Sequence, residues 1–582
     1  MIGSRLRSAG FVAVLALASM LAMVLAWAVS AQSAIKPKST PEDRIANVQL
    51  LGVNDFHGNL KSPRTLPDAS GVQVPVGGAA HLDAYLDQYE TQNPDRTIRV
   101  HAGDMVGGTP LISSYFHDEP SVYAMNEMEF DVGTLGNHAF DEGGEEMLRM
   151  IDGGQRDDDF QFKDGADGQR VNTSDPAFPG ADFPYVAANT EYKSSGKTVL
   201  PPYKVVKKDG VDVGFIGVTT EDTPNIVAPD AVAPFRVTDI SVTVNRYVRE
   251  LKARGVETIV VLAHSGGLYD NNARRVTGEV LDETAEMSGD VDVVVAGHSH
   301  SRLNDCVDDE TGATRSAEPG GCGEDKLVVE AFALGTAFDA VNMKIDRRSR
   351  DVISSSANIV TTFQNKVQPD ARTQALVEGY EQRIAPVANR VVGTAAQDIT
   401  TGANTAGESA MGDLIADGQR EFAGADFAFM NPGGIRAPIA DGEVTYSELF
   451  SVQPFDNQVV KMQLTGEQVY RVLEQQFSAD GRTRILQVSG LKFSYNPTNP
   501  AGQRITSITL SDGTPIHRGV TYIVAANSFI ATGGDGFTVF KEGTNPQTIG
   551  GDLDALEAHI EGLPQPFTAP DPATEQRIIR QG

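Results

Sequence analysis

Cysteine is almost missing from this chain of 582 residues, which has only two, Cys306 and Cys322. Two cysteines are too few for a metal centre built from thiolates alone or for a scaffold of several disulfides. They lie in a loop region rich in Gly and Asp, and their spacing fits no zinc template. A metal-binding Cys pair remains the alternative. We predict instead one local disulfide, which an oxidising compartment would favour.

Positive charge is also scarce. The chain has 48 Lys and Arg against 78 Asp and Glu, which gives a net charge of -30. Proteins that bind nucleic acids present clusters of Lys and Arg to the phosphates, and no such cluster appears in this sequence. We therefore expect no nucleic-acid partner.

Long hydrophobic runs are absent except for one near the amino terminus. It spans Phe11 to Val29, follows Arg5 and Arg7, and is followed by small residues up to Ala34. This order is typical of a signal peptide, so we predict one over residues 1–34 and a secreted or cell-surface location. The run is long for a signal peptide, and an uncleaved membrane anchor at this segment stays open as the alternative.

The sequence does contain five short motifs in which a polar residue of the kind that binds metals follows an apolar run. The residues concerned are Asp55, His57, Asp104, Asn137, His138, His264, His298 and His300. The apolar runs, rich in Val, Ile and Leu, predict strands at 48–53, 97–101, 256–263 and 291–296. Loops after such strands meet at one edge of a layered α/β fold, so we expect these side chains to converge.

Carboxylate, imidazole and amide ligands suit divalent Zn, Mn or Co. A centre with two ions needs one shared ligand, and Asp104, alone in its motif, is the natural bridge. Any one of these motifs alone would more often be an ordinary loop, and only the set of five favours a metal centre. His81, His101, His117, His517 and His559 are not expected to bind metal, and His101 is expected to be a wall residue in its strand.

These residues, in this order, resemble the calcineurin-like metallophosphoesterases. Three later segments, Asn431 to Arg436, Gln453 to Phe455 and Asn527 to Phe537, are similar to the substrate domain of secreted 5'-nucleotidases and UDP-sugar hydrolases. The resemblance covers about residues 46–565.

The resemblance implies an α/β (α+β) fold with two domains, as the length of the chain also suggests. The expected first domain, 46–362, is a four-layer metallophosphoesterase β-sandwich flanked by helices. A linker helix within 363–390 joins it to a smaller α/β substrate-binding domain, 391–565. Helical spacing of apolar residues places this helix at Asp370 to Asn389. Residues Gly153 to Gly180 are predicted to form an exposed insertion loop.

The resemblance further assigns the ligands of two divalent ions. One ion would be held by Asp55, His57, Asp104 and His300, and the other by Asp104, Asn137, His264 and His298. His138 and Asp141 match the family's catalytic pair, in which the imidazole faces the phosphate and the carboxylate favours its protonated form.

For the substrate, the resemblance points to Asn431, Gly434, Arg436, Phe455, Phe529 and Asp535. Two aromatic rings can sandwich a nucleobase, Arg436 can bind phosphate, and Asp535 can accept from ribose hydroxyls. From the residues alone, a core Phe, a surface Arg and a turn Asp would be the more common interpretation. Family members commonly carry a basic residue just before the helix that here begins near Glu408, but 401–410 contains neither Lys nor Arg.

Together these features predict an exported dimetal phosphohydrolase that releases phosphate from nucleoside 5'-monophosphates. Its partner would be a small nucleotide. Hydrolysis of 2',3'-cyclic nucleotides or UDP-sugars at the same site, a nuclease related to DNA-repair enzymes, and a catalytically silent nucleotide-binding protein are the alternatives.

Overall fold

The computed structural model describes residues 44–582 except 157–161, 164–169, 172, 271–274, 456 and 478–482. The predicted signal peptide and the apolar run at 11–29 lie outside the described residues. Within the described part of the chain, none of the helices combines the length and the apolar character that crossing a bilayer requires.

The strands of the first half of the chain are β1 (Ile45–Val53), β2 (Arg64–Pro67), β3 (Gln73–Val76), β4 (Thr97–His101), β5 (Val132–Thr134), β6 (Phe162–Lys163), β7 (Arg170–Val171), β8 (Tyr185–Val186), β9 (Thr190–Tyr192), β10 (Tyr203–Lys208), β11 (Val211–Thr219), β12 (Phe235–Val237), β13 (Thr258–His264), β14 (Leu268–Asp270), β15 (Arg275–Thr277), β16 (Val293–Ala296), β17 (Arg302–Val307), β18 (Thr314–Ser316), β19 (Lys326–Ala331), β20 (Ala337–Asp346) and β21 (Val352–Thr361). Its helices are α1 (Ala79–Gln92), α2 (Leu111–Ser114), α3 (Glu119–Glu127), α4 (Gly144–Asp152), α5 (Thr223–Ile226), α6 (Pro229–Val232), α7 (Ile240–Ala253) and α8 (Glu279–Glu286).

Two large sheets form the N-terminal domain. One has the strand order β21-β20-β1-β4-β5-β8 and the other β10-β11-β13-β16-β19-β17-β18. Apolar side chains of both sheets share one core, in which Leu50 and Val100 of the first sheet pack with Phe215, Leu262 and Val295 of the second. Helix α1 covers the outer face of the first sheet and α7 that of the second. The predicted four-layer sandwich is therefore confirmed.

The predicted strands before the metal-ligand motifs are also present. Strands β1 and β4 are parallel neighbours, as are β13 and β16. The sequences of these strands are nearly continuous runs of buried apolar residues, because both faces of each sheet are covered. Their carboxyl ends lie at one edge of the sandwich, where the loops that carry the ligands begin.

The linker helix is α9 (Ala371–Ala388), close to its predicted limits. The Asp370 side chain caps it by accepting from the backbone N–H groups of Arg372 and Thr373. Its buried stripe contains Val377, Tyr380, Ile384 and Val387, whereas the predicted stripe residue Leu376 is only half-buried.

The second half contains α10 (Ala410–Ala423), α11 (Tyr446–Val452), α12 (Gly466–Glu474), α13 (Ser528–Ala531) and α14 (Asp552–Gly562), with strands β22 (Val391–Ala395), β23 (Phe427–Met430), β24 (Gly442–Thr445), β25 (Gln458–Thr465), β26 (Gln487–Ser489), β27 (Leu491–Tyr495), β28 (Ile505–Leu510), β29 (Thr521–Asn527), β30 (Thr544–Gly551) and β31 (Ile578–Arg580). Its main sheet has the order β26-β23-β29-β25-β30. Strand β31 pairs with β27 and lies past residue 565, the predicted end of this domain. Helix α9 packs against α1 of the first half and α11 of the second.

Cys306 and Cys322 form the predicted disulfide, with their Cα atoms 5.3 Å apart. The expectation that both cysteines lie in a loop is wrong for Cys306, which belongs to β17. Cys306 is completely buried there, in a strand that pairs with β18 and β19.

The prediction of an exposed loop at Gly153 to Gly180 is wrong for part of the described ends of that segment. Arg156, Ser174 and Phe178 are buried. Ser174 Oγ and Asp175 N donate to the buried Glu119 carboxylate at 2.6 and 2.7 Å, and these bonds attach the segment to α3. Composition shows the polar character of a segment but not the long-range partner that buries it.

Candidate active site

The carboxyl ends of β1, β4, β5, β13 and β16, with the loops after them, bring the predicted metal ligands into one cluster. Three groups of donor atoms each lie within 4.8 Å of one another: Asp55, His57 and His300; His57, Asp104 and His138; and Asp104, His264 and His298. Asn137 joins the third group, since its Oδ1 lies 3.1 Å from His264 Nε2. All seven predicted ligands are therefore brought together.

Asp104 lies between the two sides of this cluster. Its Oδ2 is 2.9 Å from His264 Nε2 and 3.9 Å from His57 Nε2. On the side of His57, His300 Nε2 is 3.3 Å from His57 Nε2 and 3.4 Å from Asp55 Oδ1. Asp104 thus occupies the position that a ligand shared by two ions would need.

The charges in the cluster compensate one another. Burial alone would raise the pKa of Asp104, but the nearby His264 outweighs it and holds the pKa well below its usual range. Burial alone would lower the pKa of His264, but the Asp104 carboxylate raises it to about 9. Burial lowers the pKa of His57 to about 3, so this imidazole is neutral at pH 7.

Backbone carbonyl groups set the orientation of two imidazoles. His57 Nδ1 donates to Gly107 O at 2.7 Å, and His264 Nδ1 donates to Ala102 O at 2.9 Å. Each bond directs Nε2 into the cluster, and it leaves the Nε2 of the neutral His57 ring without a proton. This is the arrangement that metal-binding histidines adopt in proteins.

The backbone at the cluster is unusual. Five of the seven predicted ligands have left-handed φ angles between 46° and 73°, namely Asp55, His57, Asp104, His298 and His300. Such angles are uncommon for residues other than glycine and are found most often at functional sites. The ligand positions are thus maintained against a local conformational cost.

Two glycines allow the ligand loops to approach closely. A Cβ atom at Gly136 would lie 1.9 Å from Asp104 Oδ1, and one at Gly103 would lie 2.6 Å from His264 Nδ1. Any side chain at either position would displace a predicted ligand. This explains why Gly precedes Asp104 and Asn137 in the sequence motifs.

The donor set fits divalent cations. Ligand atoms about 2.0–2.2 Å from one ion lie roughly 3–4 Å from each other, which matches the separations between Asp55, His300, Asp104 and His264. Asp55, Asp104 and His264 are also fully or almost fully buried, so a cation there would be shielded from water. The residues present would therefore hold such ions at this edge of the sandwich.

His138 lies beside the cluster, and its Nδ1 donates to Asp141 Oδ2 at 2.7 Å. Burial alone would lower the pKa of His138, but the Asp141 carboxylate, helped by Asp104, outweighs it and raises the pKa above its usual value. The ring is thus oriented by Asp141 and favoured in its protonated form.

All six predicted substrate-binding residues line one cavity of about 410 Å³ together with Asp104, Asn137, His138, Asp141, His298 and His300. The Phe455 ring is parallel to the His138 ring, with the centroids 5.9 Å apart, and the Arg436 guanidinium lies 5.6 Å from the Phe455 centroid. Asn431 Nδ2 donates to Asp535 Oδ2 at 3.2 Å. Phe455 and Phe529 are half-buried, as rings open to a ligand should be.

Some lining residues were not predicted. Ile226, Val227 and Ala228, between α5 and α6, form an apolar part of the wall, and Asn457 lies beside Phe455. An apolar tripeptide in a loop carries no sequence signal for binding. Asn457 could have been found, because it lies two residues after the aromatic residue of its motif.

His101 has the predicted role of a wall residue. It is fully buried among Phe130, Phe183 and Tyr185, and burial lowers its pKa to about 3. None of His81, His117, His517 and His559 belongs to a candidate metal group within the described part of the chain.

Two family models match this sequence. One is the calcineurin-like phosphoesterase, over residues 48–302, and the other is the 5'-nucleotidase C-terminal domain, over residues 391–542. The first model ends two residues after the last predicted metal ligand.

Proteins of known sequence or structure are similar to this chain over both of these regions. The cell wall protein Lmo0130 of Listeria monocytogenes is 34% identical over 556 residues, which are 88% of this chain and 67% of that protein. Endonuclease YhcR of Bacillus subtilis is 34% identical over 91% of this chain, but this chain spans only 41% of its length. The crystal structure of a 5'-nucleotidase precursor from Thermus thermophilus superposes with a TM-score of 0.74 at 27% identity, covering 92% of this chain and 99% of that one.

Proposed function

Since the chain belongs to the family of phosphoric ester hydrolases that join a calcineurin-like phosphoesterase domain to a 5'-nucleotidase C-terminal domain, we propose that it releases phosphate from nucleoside 5'-monophosphates with two divalent metal ions. The observation that carries this proposal is the shared cavity, in which Asp104 and His298 of the metal cluster and Phe455, Phe529 and Arg436 line the same space. A phosphate near the metals can therefore belong to a molecule whose base lies near the rings.

The residues of the chain would have the following roles in this reaction. The seven ligands hold the ions, which when bound stabilise phosphoryl charge and activate the attacking water. Asp141 orients His138, whose protonated ring faces the charge that develops on the phosphoryl oxygens. Arg436 binds phosphate. The reaction forms a bond from water oxygen to phosphorus and breaks the bond from phosphorus to O5', which yields a nucleoside and phosphate.

We also propose an extracytoplasmic location. The N-terminal segment has the order of a signal peptide, the disulfide requires oxidising conditions, and Lmo0130 is named a cell wall protein. Amino-terminal sequencing of the exported protein distinguishes a cleaved signal peptide from a retained anchor.

Phosphodiester cleavage is the second candidate, because YhcR is named an endonuclease. Against a polynucleotide substrate stands the net charge of -30, since a long polyanion would meet repulsion outside the metal site. Small diesters such as 2',3'-cyclic nucleotides and UDP-sugars carry little charge and remain compatible with the cavity.

A substrate panel of AMP, UMP, 2',3'-cyclic AMP, UDP-glucose, a small aryl phosphate and single-stranded DNA tests the proposal, with phosphate release measured for the monoesters and the organic products separated by chromatography for the others. We expect AMP and UMP to have the highest kcat/KM, and exhaustive chelation to abolish turnover until Zn, Mn or Co is restored. Preferential cleavage of DNA would favour the nuclease alternative. Phosphate release that persists after chelation would reject a metal mechanism.

The base-binding role of the two rings is tested by Phe455→Ala and Phe529→Ala. Stacking on an aromatic side chain contributes about 1–3 kcal/mol per base, so each change should raise KM for AMP by about tenfold or more. Hydrolysis of a small aryl phosphate, which has no nucleobase, should change much less.

Phe422→Ala makes the same substitution at a half-buried ring outside the cavity, and it should leave KM for AMP unchanged. Equal losses on AMP and on the aryl phosphate in the two cavity variants would contradict base stacking.

A further inference from the structure

Asp535, the predicted ribose acceptor, has an ionic partner that no sequence motif indicated. Arg484 Nε lies 3.4 Å from Asp535 Oδ1, while Asn431 Nδ2 donates to the other oxygen, Oδ2, at 3.2 Å. Two different residues therefore hold the two oxygens of one carboxylate. The plane of that carboxylate is set relative to the cavity.

Asp535 needs such support because it lies in a single short 3-10 turn, which only the bond from Phe537 N to Gly534 O at 3.1 Å closes among the backbone bonds across it. It lies between Gly534 and Gly536 and has a left-handed φ of 54°. The glycines on both sides of Asp535 allow many backbone conformations, so the turn by itself does not fix the direction of the side chain. The side-chain contacts are what remain to fix the direction of the carboxylate.

Arg484, in contrast, is attached firmly. Its backbone N–H donates to Gln476 O at 2.9 Å, and two residues later Leu486 N donates to Gln476 Oε1 at 2.7 Å. Between them, Ile485 is buried in the core of this domain. The guanidinium thus extends from a rigid segment, with a side chain that is 20% exposed against 12% for Asp535.

The ion pair between Arg484 and Asp535 also compensates the negative charge of the carboxylate. A carboxylate with little water around it is costly without a counter-charge. The Arg484 guanidinium compensates this charge without using the whole accepting capacity of Asp535, because a carboxylate accepts at about four sites.

We propose that Arg484 is a positioning residue for nucleoside recognition, which holds Asp535 in the orientation that accepts hydrogen bonds from the ribose hydroxyls. This inference rests on the proposed function, because it requires a nucleotide in the cavity. It makes Arg484 a determinant of specificity for ribonucleotides that acts through Asp535 and has no contact with the reacting phosphate.

The test compares Arg484→Gln, Arg484→Lys and wild type on AMP, on 2',3'-dideoxy-AMP and on a small aryl phosphate. Arg484→Gln should raise KM for AMP about tenfold, the size expected for one charge-assisted hydrogen bond, with kcat nearly unchanged. Dideoxy-AMP has no ribose hydroxyls, so its KM should be nearly the same in all three proteins. Arg484→Lys, which keeps the charge but loses the planar fork, should recover part of the loss.

Arg518→Gln is the matched control, since Arg518 forms an exposed ion pair with Glu467 away from the cavity. A loss for Arg484→Gln that is as large on dideoxy-AMP as on AMP would overturn the inference, as would an equal loss on the aryl phosphate or an unchanged KM for AMP. Failure of the wild type to hydrolyse AMP would instead reject the proposed function, and the inference with it.

Discussion

Replacing Asp104 by Asn should nearly abolish phosphate release and sharply reduce the metal content of the purified protein. Asp104 is the carboxylate that lies between the two halves of the cluster, with Oδ2 facing both His264 and His57. An amide keeps the shape but loses the negative charge and one strong ligand atom. Bound ions contribute several kcal/mol to stabilising phosphoryl charge, so we expect kcat/KM to fall about a thousandfold or more.

Phosphate release and elemental analysis of the same preparation measure this outcome. Asp230→Asn is the control, because it removes the negative charge of an exposed residue in α6, near the apolar cavity wall, without touching the cluster. A thermal unfolding scan in the presence of chelator separates a binding defect from a folding defect. Full metal content and full activity in Asp104→Asn would contradict a bridging role.

Replacing His138 by Asn should lower kcat by about a hundredfold to ten-thousandfold while metal content stays at the wild-type level. This is the range for positioned proton donors and acceptors in enzymes. The expectation follows from the bond to Asp141, which orients the ring and favours its charged form. KM for AMP should change little, because the ring acts on charge that develops during the reaction.

The same variant tests whether His138 is itself a metal ligand. This matters because a ligand atom of His138 lies within 4.8 Å of those of His57 and Asp104. If His138 is a ligand instead, the Asn variant should lose metal together with activity. His517→Asn provides the control at an exposed histidine far from the cluster in sequence and outside the cavity. Wild-type turnover in His138→Asn would show that the imidazole has no part in the reaction.

Much of the fold and of the cluster could be predicted from the sequence. The strands that lead to Asp55, Asp104, His264 and His298 are short and mostly apolar because both faces of their sheets are buried, and this is a strong local signal. The polar residue that ends each run then lies at a known edge of the sheet. Helix α9 was predictable for a similar reason, because its apolar residues recur at helical spacing.

Other features depend on contacts between distant parts of the chain and leave no local pattern. The left-handed angles at His57 and His300 arise from the way several loops pack around the cluster. The apolar wall at Ile226 becomes part of a site only when the second domain faces it. Arg484 has no motif around it, and its partner is 51 positions further along the chain.

The most direct test of the whole account is the anomalous X-ray scattering of crystals grown with Mn or Zn, recorded at the absorption edge of that metal. The account predicts two anomalous peaks about 3.5–4 Å apart, with Asp104 between them, His57 and His300 beside one peak, and His264 and His298 beside the other. A single peak, or peaks away from Asp104, would contradict a two-metal centre at this edge of the sandwich.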